Sequence, residues 1–248
     1  MKLSVFYFMF CSFSLFAQDN KGNKTDKLAG KVKTIVEQEY IVKYTFGIGS
    51  KVLFNKINSV FDNNGNKIEV NAFNKKGRID YKETYIYNPQ GYLSESMLYN
   101  EDNVQETRLI HIYDNKNKLA ETDEMDAKNS LIKKSIFHYD DYGKQIEFIN
   151  YEADNSIEFK AINKFDISGN KIREDYYNKN DSLEFKLEFK YDANGRETEQ
   201  DYIDPTGILA FKTTFKYEEM DSHGNWLKKL VYENNKLKII NKRTIVYF

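Results

Sequence analysis

The sequence predicts an all-β chain: an elongated, curved antiparallel meander sheet of about seven 26-residue double-hairpin repeats. Three observations carry this expectation. A short turn motif recurs at regular intervals over most of the chain. The segments between turns alternate apolar and polar residues with period two. The composition is polar yet rich in strand-favouring aromatics, with 19 Tyr and 18 Phe in 248 residues,.

The turn motif is an aromatic or apolar residue, then Asp, Asn or Glu, two variable residues, and Gly or Asn. It begins at Phe61-Asp62-Asn63-Asn64-Gly65 and recurs with final residues Gly77, Gly91, Asn103, Asn117, Asn129, Gly143, Asn155, Gly169, Asp181, Gly195, Gly207, Gly224 and Lys236. The intervals alternate between 12 and 14, so the period is 26, broken once by an interval of 17 before Gly224. Asp or Asn at the first turn position caps the backbone, and Pro89 and Pro205 sit at the second, where proline fits,. The last position needs a left-handed backbone, which Gly adopts freely and Asn or Asp tolerate. A type I turn closed in this way is a common three-residue hairpin loop with a bulge.

Each strand then follows from alternation. In Leu183 to Tyr191 one face takes Leu183, Phe185, Leu187, Phe189 and Tyr191; the other takes Glu184, Lys186, Glu188 and Lys190,. Two columns emerge: Phe61, Tyr87, Tyr113, Tyr139, Phe165, Tyr191 and Tyr217 at one edge, and Phe73, Tyr99, Met125, Tyr151, Tyr177, Ile203 and Tyr232 at the other. Stacked strands make these aromatic ladders over the turns. Ile110, Ile136 and Ile162 fall on the face opposite the first column, and the segment Val32 to Phe54 is expected to cover part of it. About fourteen strands exceed what an open twisted sheet normally holds, so a curved sheet or partial shell is expected rather than a sandwich.

At the N-terminus, Lys2 precedes an apolar run from Val5 to Phe16 and the small residue Ala17, the pattern of a secretory signal peptide,. Residues 1–17 are read as that signal and 18–28 as a flexible polar segment. Residues 29–248 are read as one β-repeat domain, with 29–58 an irregular cap and 59–248 the repeats. Export puts the protein in the periplasm or outside the cell. The sole cysteine, Cys11, lies inside the signal; Phe10 before it argues against lipidation, and a processed chain lacks disulfides,. No later apolar run is long enough for a helical membrane span. With 37 Lys+Arg against 38 Asp+Glu, the near-neutral balance argues against nucleic acid as partner,.

Tyr139-Asp140-Asp141-Tyr142-Gly143 and Tyr191-Asp192-Ala193-Asn194-Gly195 resemble the YD repeats of the RHS family. The whole chain is similar to small secreted repeat proteins of Bacteroidota, which start on a strand such as Gly30-Lys31-Val32-Lys33. They end on a turn such as Gly224-Asn225-Trp226 before a basic last strand, here Asn241 to Tyr247. The resemblance covers roughly residues 29 to 248 and implies architecture; it carries no catalytic residues.

No catalytic, cofactor-binding or metal residues are assigned. His111, His138 and His223 occupy three different repeat positions without a second ligand at metal spacing,. His111 replaces a packing aromatic in the column of Tyr85, Phe137 and Phe189. Asn180 to Ser182 match a glycosylation acceptor, but the turn accounts for them. One constellation stands out: Glu69, Glu95, Glu121, Glu147 and Glu199 recur at the repeat spacing, with Arg173 and Lys228 as exceptions. Such a row either binds cations, a basic partner or sugar, or is a solvated face paired with lysines. The expected function is a non-catalytic secreted or periplasmic binding or scaffold module whose partner is an envelope protein or polysaccharide. An immunity or antitoxin-like protein and an unrecognised glycan-active enzyme are the alternatives.

Overall fold

A computed structural model describes residues 28–248. The segments read as a signal peptide and, apart from Leu28, as a flexible linker lie outside the described residues. The chain forms sixteen strands: β1 (Val32–Thr45), β2 (Ile48–Phe61), β3 (Lys67–Phe73), β4 (Ile79–Tyr87), β5 (Leu93–Asn100), β6 (Gln105–Tyr113), β7 (Leu119–Asp126), β8 (Leu131–Tyr139), β9 (Gln145–Glu152), β10 (Ile157–Phe165), β11 (Lys171–Asn178), β12 (Leu183–Tyr191), β13 (Glu197–Ile203), β14 (Leu209–Met220), β15 (Trp226–Glu233) and β16 (Lys236–Tyr247). Each pairs antiparallel with its sequence neighbours, and β1 pairs with β16, so the sheet is a closed barrel. The expected elongated, curved meander sheet of repeats is therefore wrong: its strands close on themselves.

The thirteen turns from Gly65 to Gly224 form as expected, with every final residue at positive φ. In the turn after β2, Asp62 O accepts from Gly65 N at 3.0 Å and Asp62 N donates to Asn66 O at 2.8 Å. The Asp62 carboxylate accepts from Asn64 N and Asn66 N, both at 2.9 Å. Most turns repeat this pattern with Asp or Asn; where Glu152 replaces them, Asp154 takes over and accepts from Ser156 N at 2.9 Å. The last turn differs. Asn234 and Asn235 hold the positive φ values of 46° and 65°, and Lys236 opens β16. The 17-residue interval is absorbed by β14, which runs on to Met220.

Closure has a local cause. Nearly every hairpin carries a register shift where the strands meet the turn. Each such bulge adds bend and right-handed twist, and the increments accumulate until the two edges meet. Pairing them removes the exposed donors and acceptors of both edges. The 29–58 segment read as a cap supplies β1 and most of β2. It stands in the wall beside β16 and does not cover Ile110, Ile136 or Ile162.

The seam is clasped where the two terminal motifs meet. Asn225 accepts from Ala29 N at 2.8 Å through Oδ1, and its Nδ2 donates to Ala29 O at 2.8 Å and to Tyr247 Oη at 2.7 Å. Tyr247 also donates to Asp221 and stacks on His223 with centroids 4.1 Å apart. Gly30 lies beneath them at φ 85°, where an added Cβ would sit 2.8 Å from both the His223 and Tyr247 rings. Deeper in the seam, Arg243 bonds Glu37 at 2.7 Å and lies 3.5 Å from the centroid of Trp226.

Alternation now divides lumen from exterior. The buried residues Phe137, Phe148, Ala161, Tyr176 and Leu187 share the inner face with Leu119 and form one core band along β7 to β12. Among the described residues, only ladder neighbours bring Cα atoms within 8 Å of each other. The core is therefore a lining built between adjacent strands, not two sheets packed face to face.

Candidate functional site: the lumen wall

The outer wall resolves the glutamate row. Glu95 takes a two-pronged contact from Arg108, at 2.9 and 2.8 Å, which holds its carboxyl below the usual range. Glu121 meets Lys134 at 2.8 Å, Glu147 meets His138 at 2.7 Å, and Glu199 meets Lys190 at 2.6 Å and Lys212 at 2.7 Å. The hydrogen bonds from Lys190 and Lys212 likewise lower the Glu199 carboxyl. At Glu69 the partner is Asn71, 2.6 Å away. Arg173, the exception in the row, bonds Asp175 instead at 2.6 Å. Glu95, Glu121, Glu147 and Glu199 are thus paired across strands, while Glu69 and Arg173 are bonded within their own strands, and exposed pairs of this kind stabilise the fold little,.

That charged exterior bears on membranes. Among the described residues no helix is long and apolar enough to cross one, which leaves the barrel itself to be judged. A lipid-facing wall is an apolar band, and each mid-membrane Lys or Arg costs roughly 2–4 kcal/mol. The exterior of β12 instead carries Glu184, Lys186, Glu188 and Lys190, and paired charges recur around the wall.

The two expected ladders lie on opposite walls. The first column lines the lumen near one rim. Its tyrosines reach back 20 residues: Tyr87, Tyr113, Tyr139 and Tyr191 donate to the carbonyls of Lys67, Leu93, Leu119 and Lys171 at 2.8 to 2.9 Å. The second column faces outward near the other rim, where Lys56, Lys82 and Lys160 lie over Phe73, Tyr99 and Tyr177. A continuous ring stack occurs elsewhere, on the lumen side toward that second rim. It runs Phe148, Phe159, Tyr176, Phe185, Tyr202, Phe211, and its last three contacts have centroids 4.3 to 4.9 Å apart at interplanar angles of 9° to 21°. Tyr176, Phe185, Tyr202 and Phe211 cover one another's faces across adjacent strands, which leaves their edges towards the lumen, while Phe148 meets Phe159 edge to face.

Nearer the first rim the lumen wall is polar, and several buried atoms lack a partner: His111 Nε2, Asn163 Oδ1, Glu197 Oε1 and Asn241 Oδ1. His111 Nδ1 contacts Thr122 Oγ1 at 3.2 Å, and burial pushes the imidazole down to about 4, so it is neutral. Asn163 donates to Gln145 O at 3.0 Å and is 6% exposed. Burial pushes the Glu197 carboxyl up to about 7, against the opposing attraction of Lys229 and Lys171. Glu39 and Glu83 are also raised by burial. Unpartnered buried polar atoms mark places where a donor or acceptor from water or a ligand belongs.

Sequence reasoning placed His111 in an aromatic column and missed its companion Asn163, the other polar residue there between Tyr85 and Phe215. That departure was a visible signal. Glu197 and Asn241 carry no such mark. His138 is on the outer wall, and His223 is in the seam. Among the described residues no group of three His, Cys, Asp or Glu could hold a metal.

No family model matches the chain, and no curated protein matches it. Among solved structures, a porin-like protein from Bacteroides uniformis aligns with a TM-score of 0.60 at 9% identity, covering 88% of this chain and 99% of that one. At that identity the match shows a shared barrel fold. TcdB2-TccC3-Cdc42 aligns at a TM-score of 0.33 with 12% identity, over 82% of this chain and 12% of that chain. A LolA superfamily protein from Nitrosomonas europaea aligns at 0.29 with 5% identity, over 94% of this chain and 90% of that one.

Proposed function

We propose that this protein is a non-catalytic binding module of the cell envelope, a water-exposed barrel that holds an amphiphilic ligand against its lumen wall. The observation that carries the reading is the division of chemistry between the walls. Charge pairs cover the outside, while the inside joins a stripe of aromatic edges to a polar collar with unpartnered atoms. An apolar chain suits the edges, and a hydroxyl-bearing or amine-bearing head suits the collar. Envelope location rests on the N-terminal sequence, and the absence of catalysis on the lack of any reactive cluster apart from the repeat. A sugar-stacking platform is less well supported, because the ring faces are already covered by neighbouring rings.

Alkyl glucosides of increasing chain length, set against free gluco-oligosaccharides, test this. Binding is followed by calorimetry and by the fluorescence of Trp226, the only tryptophan. Affinity should rise with each added methylene, by up to about fourfold, and weaken in Phe185→Ala and Tyr202→Ala. Equal affinity for alkyl glucosides and free sugars, or binding of neither, would overturn it.

A further inference from the structure

We propose that the β1–β2 hairpin docks the barrel on an anionic phospholipid surface. This site is separate from the lumen and does not depend on what the lumen holds. β1 and β2 are each 14 residues long, against 7 for β3 and 12 for β16. Ladder pairing with β16 ends at Ile41, and pairing with β3 begins at Lys56. Backbone pairing of residues 42–51 is therefore only with each other, so this tip projects past the paired wall, while residues 52–55 of β2 lie beside β1 with no β3 partner.

The projection is apolar at its end. Tyr44, Phe46, Ile48, Val52 and Phe54 are all exposed. Exposed apolar residues elsewhere fall one or two to a strand or turn; five on one hairpin are a concentration,. The turn itself favours display over stability. Phe46 and Gly47 have φ values of 49° and 81°, the left-handed pair of a two-residue hairpin turn,. Asn-Gly is the favoured sequence there, and phenylalanine is opposed at that backbone conformation. The residue is placed at the extreme tip despite its conformational cost.

The charge around the tip identifies the occupant. No acidic residue lies between Glu39 and Asp62, while Lys43, Lys51 and Lys56 do. The turn after the neighbouring β3 adds Lys75, Lys76 and Arg78, and β16 beside β1 adds Lys236, whose ammonium lies 4.3 Å from the Tyr44 ring centroid, and Lys238, with Glu233 the one acid facing them there. An apolar tip within a basic collar, in a chain of net charge -1, matches an interface of acyl chains beneath anionic headgroups,. The described N-terminal residues and the C-terminus stand at the opposite rim, clear of it.

Co-sedimentation with vesicles of phosphatidylglycerol and phosphatidylcholine, against phosphatidylcholine alone, tests the proposal. All variants keep the same N-terminal segment, so differences report on the hairpin. The full chain should bind the anionic vesicles on the order of tenfold more tightly, and the preference should shrink as salt rises. Phe46→Asn should weaken binding while leaving or raising thermal stability, because Asn suits the turn. Lys43→Gln with Lys51→Gln should erase the preference for anionic vesicles. Binding unchanged in these variants, or no vesicle binding, would overturn the proposal. So would hairpin-dependent self-association without vesicle binding, which would make the tip a contact between copies of the chain.

Discussion

Glycine at Gly143 is required by the backbone, not by space. Its φ is 79°, and an added Cβ would meet only the flexible end of Lys118, at 2.9 Å. Gly143→Val should cost roughly 1–3 kcal/mol in chemical denaturation through backbone strain. Gly143→Asn should cost less, since Asn117 and Asn155 hold φ near 60° at the same turn position. Lys236→Val should be milder still, because Lys236 is a strand residue and the left-handed positions of that turn belong to Asn234 and Asn235. Glu197 provides a pH signature. Its folded-state pKa of about 7 exceeds the ordinary value of 4.5, so the folded form retains a proton that the unfolded chain releases. Stability associated with this group is fully present below about pH 4.5 and is lost as pH rises through about 7. Glu197→Gln should abolish that loss, making the variant more stable than wild type at pH 8 by roughly 1–3 kcal/mol. His111 acts in the opposite direction. Its neutral buried ring costs stability as pH falls from 6.5 towards about 4, and His111→Phe should remove that acid-side loss in denaturation midpoints measured against pH,.

At the scale of the element, the hairpin was legible because its determinants are local. Asp62, Asp140 and Asp192 each cap their own turn within four residues, and the left-handed position follows at a fixed offset. Such chemistry is written in adjacent residues. The inner tyrosine column was legible as a column but not as a bonding pattern, because each hydroxyl reaches a carbonyl 20 residues earlier. Tyr113→Phe should cost roughly 0.5–1.5 kcal/mol by losing its bond to Leu93 O at 2.8 Å,. Phe61 and Phe165 occupy the same column, so the ring alone fits and the loss isolates the hydroxyl. Thermal unfolding of Tyr113→Phe beside Phe165→Tyr checks this. The central ring stack was not anticipated, because Phe159, Tyr176 and Phe185 become neighbours only through the register shifts that offset each hairpin.

For the whole molecule, the difference between open sheet and closed barrel lies in accumulated bend. No single hairpin reveals it, which is why alternation and turn spacing point equally to either form. Closure is marked in the sequence only at the two terminal motifs, Gly30-Lys31-Val32-Lys33 and Gly224-Asn225-Trp226, which act when they meet. Asn225→Ala removes two bonds across the seam, to Ala29, and a third to Tyr247 beside it, and should cost roughly 1–3 kcal/mol,. The lumen collar was largely hidden for the same reason: Glu197 and Asn241 read as ordinary strand residues until closure gives the wall an inside. Closure is the claim on which lumen, collar and outer wall all depend. Spin labels at Gln38 and Lys242, opposed across the seam, measure it directly by their dipolar distance. A closed barrel places their Cα atoms about 5 Å apart, so the labels report close contact. An open sheet of sixteen strands at about 4.8 Å spacing would hold them on the order of 70 Å apart if flat, and a long distance of that kind would contradict the barrel,.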